Sequence, residues 1–174
     1  MEFEWPWQYS FPPFYTLQPN INTRQKQLEA WCQLILSYHR HHKIYKLDIS
    51  EVQNSPLFNN KDINRKLSID NIHFILEELR KKRNLEWIDK NKRQCFIMWR
   101  TVDEWANLIY KWASDTGHTN SVCTLYELTD GDYTKDQEFY GLDKSVLLKA
   151  LKYLELQKKA EVMIYDTNEG VKFL

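Results

Sequence analysis

Glycine is scarce in this 174-residue chain: there are four, and none precedes Gly117. No glycine-rich loop is left to cradle a phosphate. Cysteine is equally sparse. Cys32, Cys95 and Cys123 are odd in number, far apart and set among apolar residues, which predicts small buried thiols in a reducing compartment rather than a disulfide framework. Neither a Cys-x-x-Cys nor a His-Glu-x-x-His pattern occurs. Charge of one sign is also missing. Lys plus Arg and Asp plus Glu each number 24, so the chain is neutral, which argues against broad capture of nucleic acid or anionic membrane. No apolar run is long enough to cross a bilayer, and the opening residues lack the basic stretch and unbroken apolar core of a signal peptide. A cytosolic protein is expected.

What is present is concentrated at the start. The first fifteen residues, MEFEWPWQYSFPPFY, hold seven rings: Phe3, Trp5, Trp7, Tyr9, Phe11, Phe14 and Tyr15. They also hold Pro6, Pro12 and Pro13. Proline fixes φ and disfavours helix in the residue before it, so this leader is predicted to be extended or polyproline-II-like. An extended leader buries little of its own apolar surface, so its rings are expected to dock in a groove, chiefly on another protein. Pro12-Pro13-Phe14-Tyr15 is a Pro-Pro-x-Tyr sequence, a ligand type for WW domains, and Pro6-Trp7-Gln8-Tyr9 repeats its Pro-x-x-Tyr spacing.

Beyond Pro19 the pattern becomes helical. Thr23 is the expected cap of a helix from about Arg24 to His42, with Leu28, Trp31, Leu34, Ile35 and Tyr38 on one face. A short strand at Lys46–Ile49 and a short helix near Ser50–Asn54 follow. Ser68 or Asp70 then caps a second long helix bearing Ile72, Ile75, Leu76 and Leu79. Leu85–Ile88 and Gln94–Trp99 form a hairpin across a polar loop. The same order recurs. Trp105, Leu108, Ile109 and Trp112 match Trp31, Leu34, Ile35 and Tyr38 at an offset of 74 (105 minus 31), and Leu147, Ala150, Leu151 and Leu154 match the second helix at 75 (147 minus 72). Ala160–Met163 and Val171–Leu174 supply a second hairpin across Asp166–Gly170. The reading is a tandem duplication. The predicted fold is α+β, mainly helical: a docking segment at 1–22 and two winged-helix domains at 23–100 and 101–174.

A winged helix raises the possibility of nucleic-acid binding, the alternative function here. Arg80-Lys81-Lys82-Arg83 ends the long helix, and Lys90, Lys92 and Arg93 lie in the hairpin loop, where phosphates would be met. Against this, Asp70, Glu77 and Glu78 share that helix, and cations near a helix C-terminus complement its dipole. In the second unit, Lys144, Lys149 and Lys152 are offset by Asp166 and Glu169. His39-Arg40-His41-His42 lacks a nearby carboxylate or thiol, and Asp130, Asp132 and Asp136 do not follow the calcium-loop pattern. No catalytic constellation, cofactor or metal site is expected.

Taken together, Glu4–Tyr9, Phe11–Tyr15, Thr16-Leu17-Gln18-Pro19-Asn20, Ser55–Asn60, Glu77–Lys82, Leu85-Glu86-Trp87 and Gly170–Phe173 resemble the vacuolar protein-sorting-associated protein 25 family. These are the small subunits of the endosomal sorting complex ESCRT-II. The resemblance implies a non-enzymatic adaptor of two tandem winged helices. It implies a place in sorting ubiquitinated membrane cargo to multivesicular bodies, with recruitment from the cytoplasm to the endosome surface. In the family, proline-aromatic motifs near the start dock on two larger subunits. Carried over, Pro12, Pro13 and Tyr15 match the second motif, and Pro6 and Tyr9 match the first, with Trp7 in place of its second proline. The partner-binding set implied is Trp5, Pro6, Trp7, Tyr9, Phe11, Pro12, Pro13, Phe14 and Tyr15. The family also recruits a helix of an ESCRT-III subunit through its second domain, here residues 102–174.

Overall fold

A computed structural model describes residues 1–166 and 168–174; Thr167, in the second hairpin loop, lies outside the described residues. The chain divides into two compact units, Met1–Trp99 and Arg100–Leu174.

The first unit opens with two 3-10 turns, Trp7–Ser10 and Pro12–Tyr15. Helix α1, Ile21–His42, follows. Its cap is Asn20, whose side chain accepts from the Thr23 N–H, so the helix begins three residues before the position expected for a Thr23 cap. Asn and Thr are both good caps, and Asn20 stands where its carbonyl reaches the third helical N–H. Strand β1, Lys46–Asp48, and helix α2, Ile49–Val52, come next. A two-residue ladder, β2 at Asn59–Asn60 and β3 at Arg65–Lys66, precedes α3, Ile69–Lys81, capped by Ser68. Strands β4, Leu85–Trp87, and β5, Gln94–Ile97, close the unit. Sheet order is β1-β5-β4, all antiparallel, with Leu47 and Trp87 both opposite Cys95.

The core is the apolar stripe the spacing predicts. Trp31 and Ile35 of α1 meet Ile72, Ile75, Leu76 and Leu79 of α3, all fully buried. This unit has no glycine, so its left-handed positions fall to Lys43, Asn64, Arg83 and Lys92, with φ of 52–63°. Such residues cost about 1 kcal/mol each relative to glycine, a strain the core must offset.

The second unit repeats the plan. Helix α4, Val102–Asp115, is held by a capping box between Thr101 and Glu104. Strand β6, Val122–Thr124, helix α5, Leu125–Asp130, helix α6, Lys144–Leu156, and strands β7, Ala160–Ile164, and β8, Glu169–Phe173, follow. Sheet order is β6-β8-β7, with Cys123 and Val162 both opposite Val171. Leu47 and Cys123 differ by 76, as do Cys95 and Val171, so the pairing registers correspond between the units. Trp105, Ile109, Leu147, Leu151, Leu154 and Phe173 fill this core. The element order in both units is compatible with a helix-turn-helix core followed by a β wing.

Candidate docking surface

The leader does not run out as an extended strand. Each of its turns is closed by backbone bonds: the Tyr9 N–H donates to the Pro6 carbonyl (3.1 Å), and the Phe14 N–H to the Phe11 carbonyl (2.9 Å). Pro12 sits at the first position of the second turn, where its missing N–H costs nothing and its fixed φ suits a helical start.

Side chains from the body then fasten the leader down. Gln27 of α1, itself buried, donates from Nε2 to the carbonyls of Phe14 (2.9 Å), Thr16 (2.9 Å) and Pro13 (3.3 Å). Its Oε1 accepts the Gln18 N–H at 3.1 Å. Trp31 Nε1 also donates to the Phe14 carbonyl, at 2.9 Å. Asn60 Nδ2 (2.8 Å) and the Tyr15 hydroxyl (2.7 Å) both donate to the Tyr9 carbonyl. The Tyr9 hydroxyl donates to the Pro56 carbonyl.

The rings therefore divide. Phe14 lies flat on Trp31, centroids 4.2 Å apart with planes 2° from parallel, and only 4% of it is exposed. Tyr15 is as deeply buried, and burial pushes its hydroxyl pKa up. Tyr9 is buried beneath Trp5, the two rings stacked at 3.8 Å. This corrects the expectation that the leader is extended and that its rings lack a home in their own domain. For Tyr9, Phe14 and Tyr15 the home is the first unit's core. The physical reason is the set of N–H donors on Gln27, Trp31 and Asn60, which satisfy the leader's carbonyls and let them leave water.

Phe3 is partly buried, edge to face with Trp5 and Tyr38, and the other rings face out. Trp7 is 69% and Phe11 47% exposed, edge to face at 5.5 Å, with Pro12 and Pro13 exposed beside them and Trp5 partly so. Pro6 is half-buried. Trp7 and Phe11, with Pro13, Phe14, Lys26 and Ala30, line a largely apolar groove of about 480 Å³ floored by α1. Exposed aromatics beside a groove of this kind are what an apolar partner reads.

Four cations of the basic cluster pair with carboxylates of their own unit. Glu77 pairs with Arg80 at 2.6 Å and Lys92 at 2.7 Å, and also accepts from Trp87 Nε1 at 3.0 Å. Lys92 first and Arg80 second hold the Glu77 carboxyl down to about 2. Lys81 meets Glu78 at 3.2 Å, and Arg93 meets Asp48 at 3.3 Å. Cations tied to carboxylates are poorly placed to replace the counterions of a phosphate backbone. At the histidine run, His39 turns inward and is buried, its Nδ1 2.7 Å from the Ile35 carbonyl, while His41 bonds the Met1 carbonyl at 2.9 Å. Among the described residues no group of three or more metal-type ligands gathers, and no helix is long and apolar enough to cross a membrane.

Gln27 and Asn60 were not foreseen as parts of this surface. The trace of Gln27 in the sequence is its place four residues before Trp31, on the stripe that is otherwise apolar.

The chain is similar to known proteins over nearly its whole length. A family model described as ESCRT-II complex subunit matches residues 8–143. A Danio rerio protein called vacuolar protein-sorting-associated protein 25 is 60% identical over 99% of each chain. The Homo sapiens protein of that name is 57% identical, covering 99% of this chain and 98% of its own. A crystal structure of subunit VPS25 of the endosomal trafficking complex ESCRT-II superposes with a TM-score of 0.86 at 35% identity, covering 97% of this chain and 98% of that one. A chain of the crystal structure of endosomal complex ESCRT-II (VPS22/VPS25/VPS36) gives 0.82 at 34% identity over the same shares.

Proposed function

We infer the working of this chain from two premises: it belongs to the ESCRT-II complex subunit family, among relatives named vacuolar protein-sorting-associated protein 25, and its first fifteen residues present a proline-aromatic shelf. As a member it is an ESCRT-II subunit of endosomal trafficking. Its role is that of a non-enzymatic adaptor, recruited from the cytoplasm to the endosome surface, in sorting ubiquitinated cargo to multivesicular bodies.

The shelf docks on the two larger subunits, the counterparts of VPS22 and VPS36. Trp7 and Phe11 are the anchors, with Trp5, Pro6, Pro12 and Pro13 around them. Tyr9, Phe14 and Tyr15 contribute from beneath, by shaping the shelf. The observation that carries this is the exposure of Trp7 (69%) and Phe11 (47%) beside an apolar groove, in a leader whose Tyr9, Phe14 and Tyr15 are sheltered. A buried Trp or Tyr anchor commonly accounts for 2 kcal/mol or more of binding, about thirtyfold in affinity. The test is Trp7→Ala with Phe11→Ala, read by calorimetric titration against the larger subunits. A loss of at least thirtyfold is expected, with the fold unchanged; undiminished binding overturns the docking role.

The second unit receives a helix of an ESCRT-III subunit. Tyr126, Ile164 and Tyr165 are exposed there, and Tyr126 lines a cleft of about 550 Å³ with Leu125, Lys144, Asp166 and Glu169. An amphipathic helix laid along such a surface buries its apolar side against these residues.

A further inference from the structure

We infer that Gln27 is the positioning residue for subunit assembly, with Asn60 in support: these two buried amides hold the leader's backbone so that Trp7 and Phe11 are presented before any partner arrives. The inference rests on the docking reading above and adds where the shelf's rigidity comes from.

Gln27 is 7% exposed, yet its side chain reaches four backbone groups of the leader: the carbonyls of Pro13, Phe14 and Thr16 and the N–H of Gln18. An amide nitrogen has two hydrogens, so three acceptors within 3.3 Å means that one hydrogen is shared. Asn60, 3% exposed, ties the Tyr9 carbonyl with Nδ2 and accepts the Asp62 N–H with Oδ1. The ties therefore fall at residue 9 and at residues 13 to 18, on both sides of Phe11. The two turns fix the backbone about Phe11: its N–H donates to the Gln8 carbonyl at 2.9 Å, and its carbonyl accepts from Phe14. Trp7 opens the turn Trp7–Ser10, which carries the Asn60 tie at Tyr9.

Two consequences follow. Ordering a flexible leader costs binding free energy for each side chain and backbone unit fixed, and a leader already ordered escapes most of that cost. Partner affinity is also scaled by the fraction of chains in the competent conformation, so loosening the leader weakens binding without touching a contact residue. The docking element is thus a folded epitope rather than a linear motif.

The test compares Gln27→Leu and Trp7→Ala, singly and together, in the full chain. Affinity for the two larger subunits is read by calorimetry, and amide hydrogen exchange is followed over residues 8–18 and over the second unit. Gln27→Leu should weaken assembly at least tenfold and speed exchange at residues 9–18 while leaving the second unit's exchange unchanged. The double variant should bind weaker than Trp7→Ala alone by about the factor that Gln27→Leu costs the parent chain, because the population of the ordered leader scales the contacts that Phe11 still makes. Faster leader exchange at unchanged affinity would overturn the positioning role while leaving the docking role intact. An inert Trp7→Ala would instead overturn the docking reading beneath it. A synthetic peptide of residues 2–20 gives an arm free of any folding defect. It should compete for the larger subunits at least a hundredfold less well than the full chain, and equal potency would overturn the inference.

Discussion

Replacing Phe14 by alanine separates a leader that belongs to the core from one that merely lies on it. Phe14 is 4% exposed and stacked flat on Trp31, which is itself fully buried. Truncating a buried phenylalanine removes its transfer free energy and leaves a cavity, roughly 3–5 kcal/mol together. Loss of the ring pair adds about 0.5–1.5 kcal/mol. A change near 4 kcal/mol is a large part of the stability of a small domain, typically about 5–15 kcal/mol. With a urea dependence of about 2 kcal/mol per molar, the midpoint should fall by roughly 2 M. The assay is hydrogen exchange at rising urea, read on peptides from α1, so that the first unit is followed by itself. Phe11→Ala, three residues away and 47% exposed, is the internal control and should move the midpoint by no more than about 0.25 M. A Phe14→Ala midpoint shift below about 0.5 M would refute the claim that the leader is part of the core.

Two other predictions concern buried titratable groups. Burial holds His39 down to about 4, so the folded state keeps it neutral, while the unfolded chain takes up a proton near pH 6.5. Its contribution is fully present above pH 6.5 and is lost as pH falls toward 4, about 2 kcal/mol of it by pH 5. His39→Leu should flatten the first unit's stability between pH 7 and 5, and an unchanged slope would contradict this. Burial likewise pushes the Cys32 thiol up to about 11 and the Cys95 thiol to about 12, and raises Cys123. A thiol reagent at pH 8 should label none of them in the native chain and all three in denaturant; rapid labelling of one native thiol would be the contrary result.

The helices were legible because their apolar stripes are strong. Ile72, Ile75, Leu76 and Leu79 recur at three and four residues, and every one is buried. The repeated element order was legible for the same reason, since packing against a partner helix constrains spacing. Strand β6 was not, because of its three residues only Cys123 turns inward. The leader was the instructive misreading. Its prolines and rings point to an extended chain when read locally. What folds it back lies 11 to 17 residues on, in Gln27 and Trp31, and 51 residues on, in Asn60. Local propensity carries no information on donors that only the tertiary fold brings near. One practical result is that removing residues 2–15 would strip Tyr9, Phe14 and Tyr15 from the core along with the exposed rings. Surface substitutions at Trp7 and Phe11 are the cleaner probe of assembly. The WW-ligand reading meets the same obstacle, since the tyrosine that such a groove must grip is enclosed by its own domain.

Hydroxyl-radical footprinting of the leader, in the free chain and in the assembled complex, tests the central claim most directly. Trp7 and Phe11 should oxidise readily in the free chain and become protected on assembly, while Phe14 and Tyr15 stay protected in both. Ready oxidation of Phe14 and Tyr15 in the free chain, or a Trp7 that stays reactive in the complex, would contradict the account.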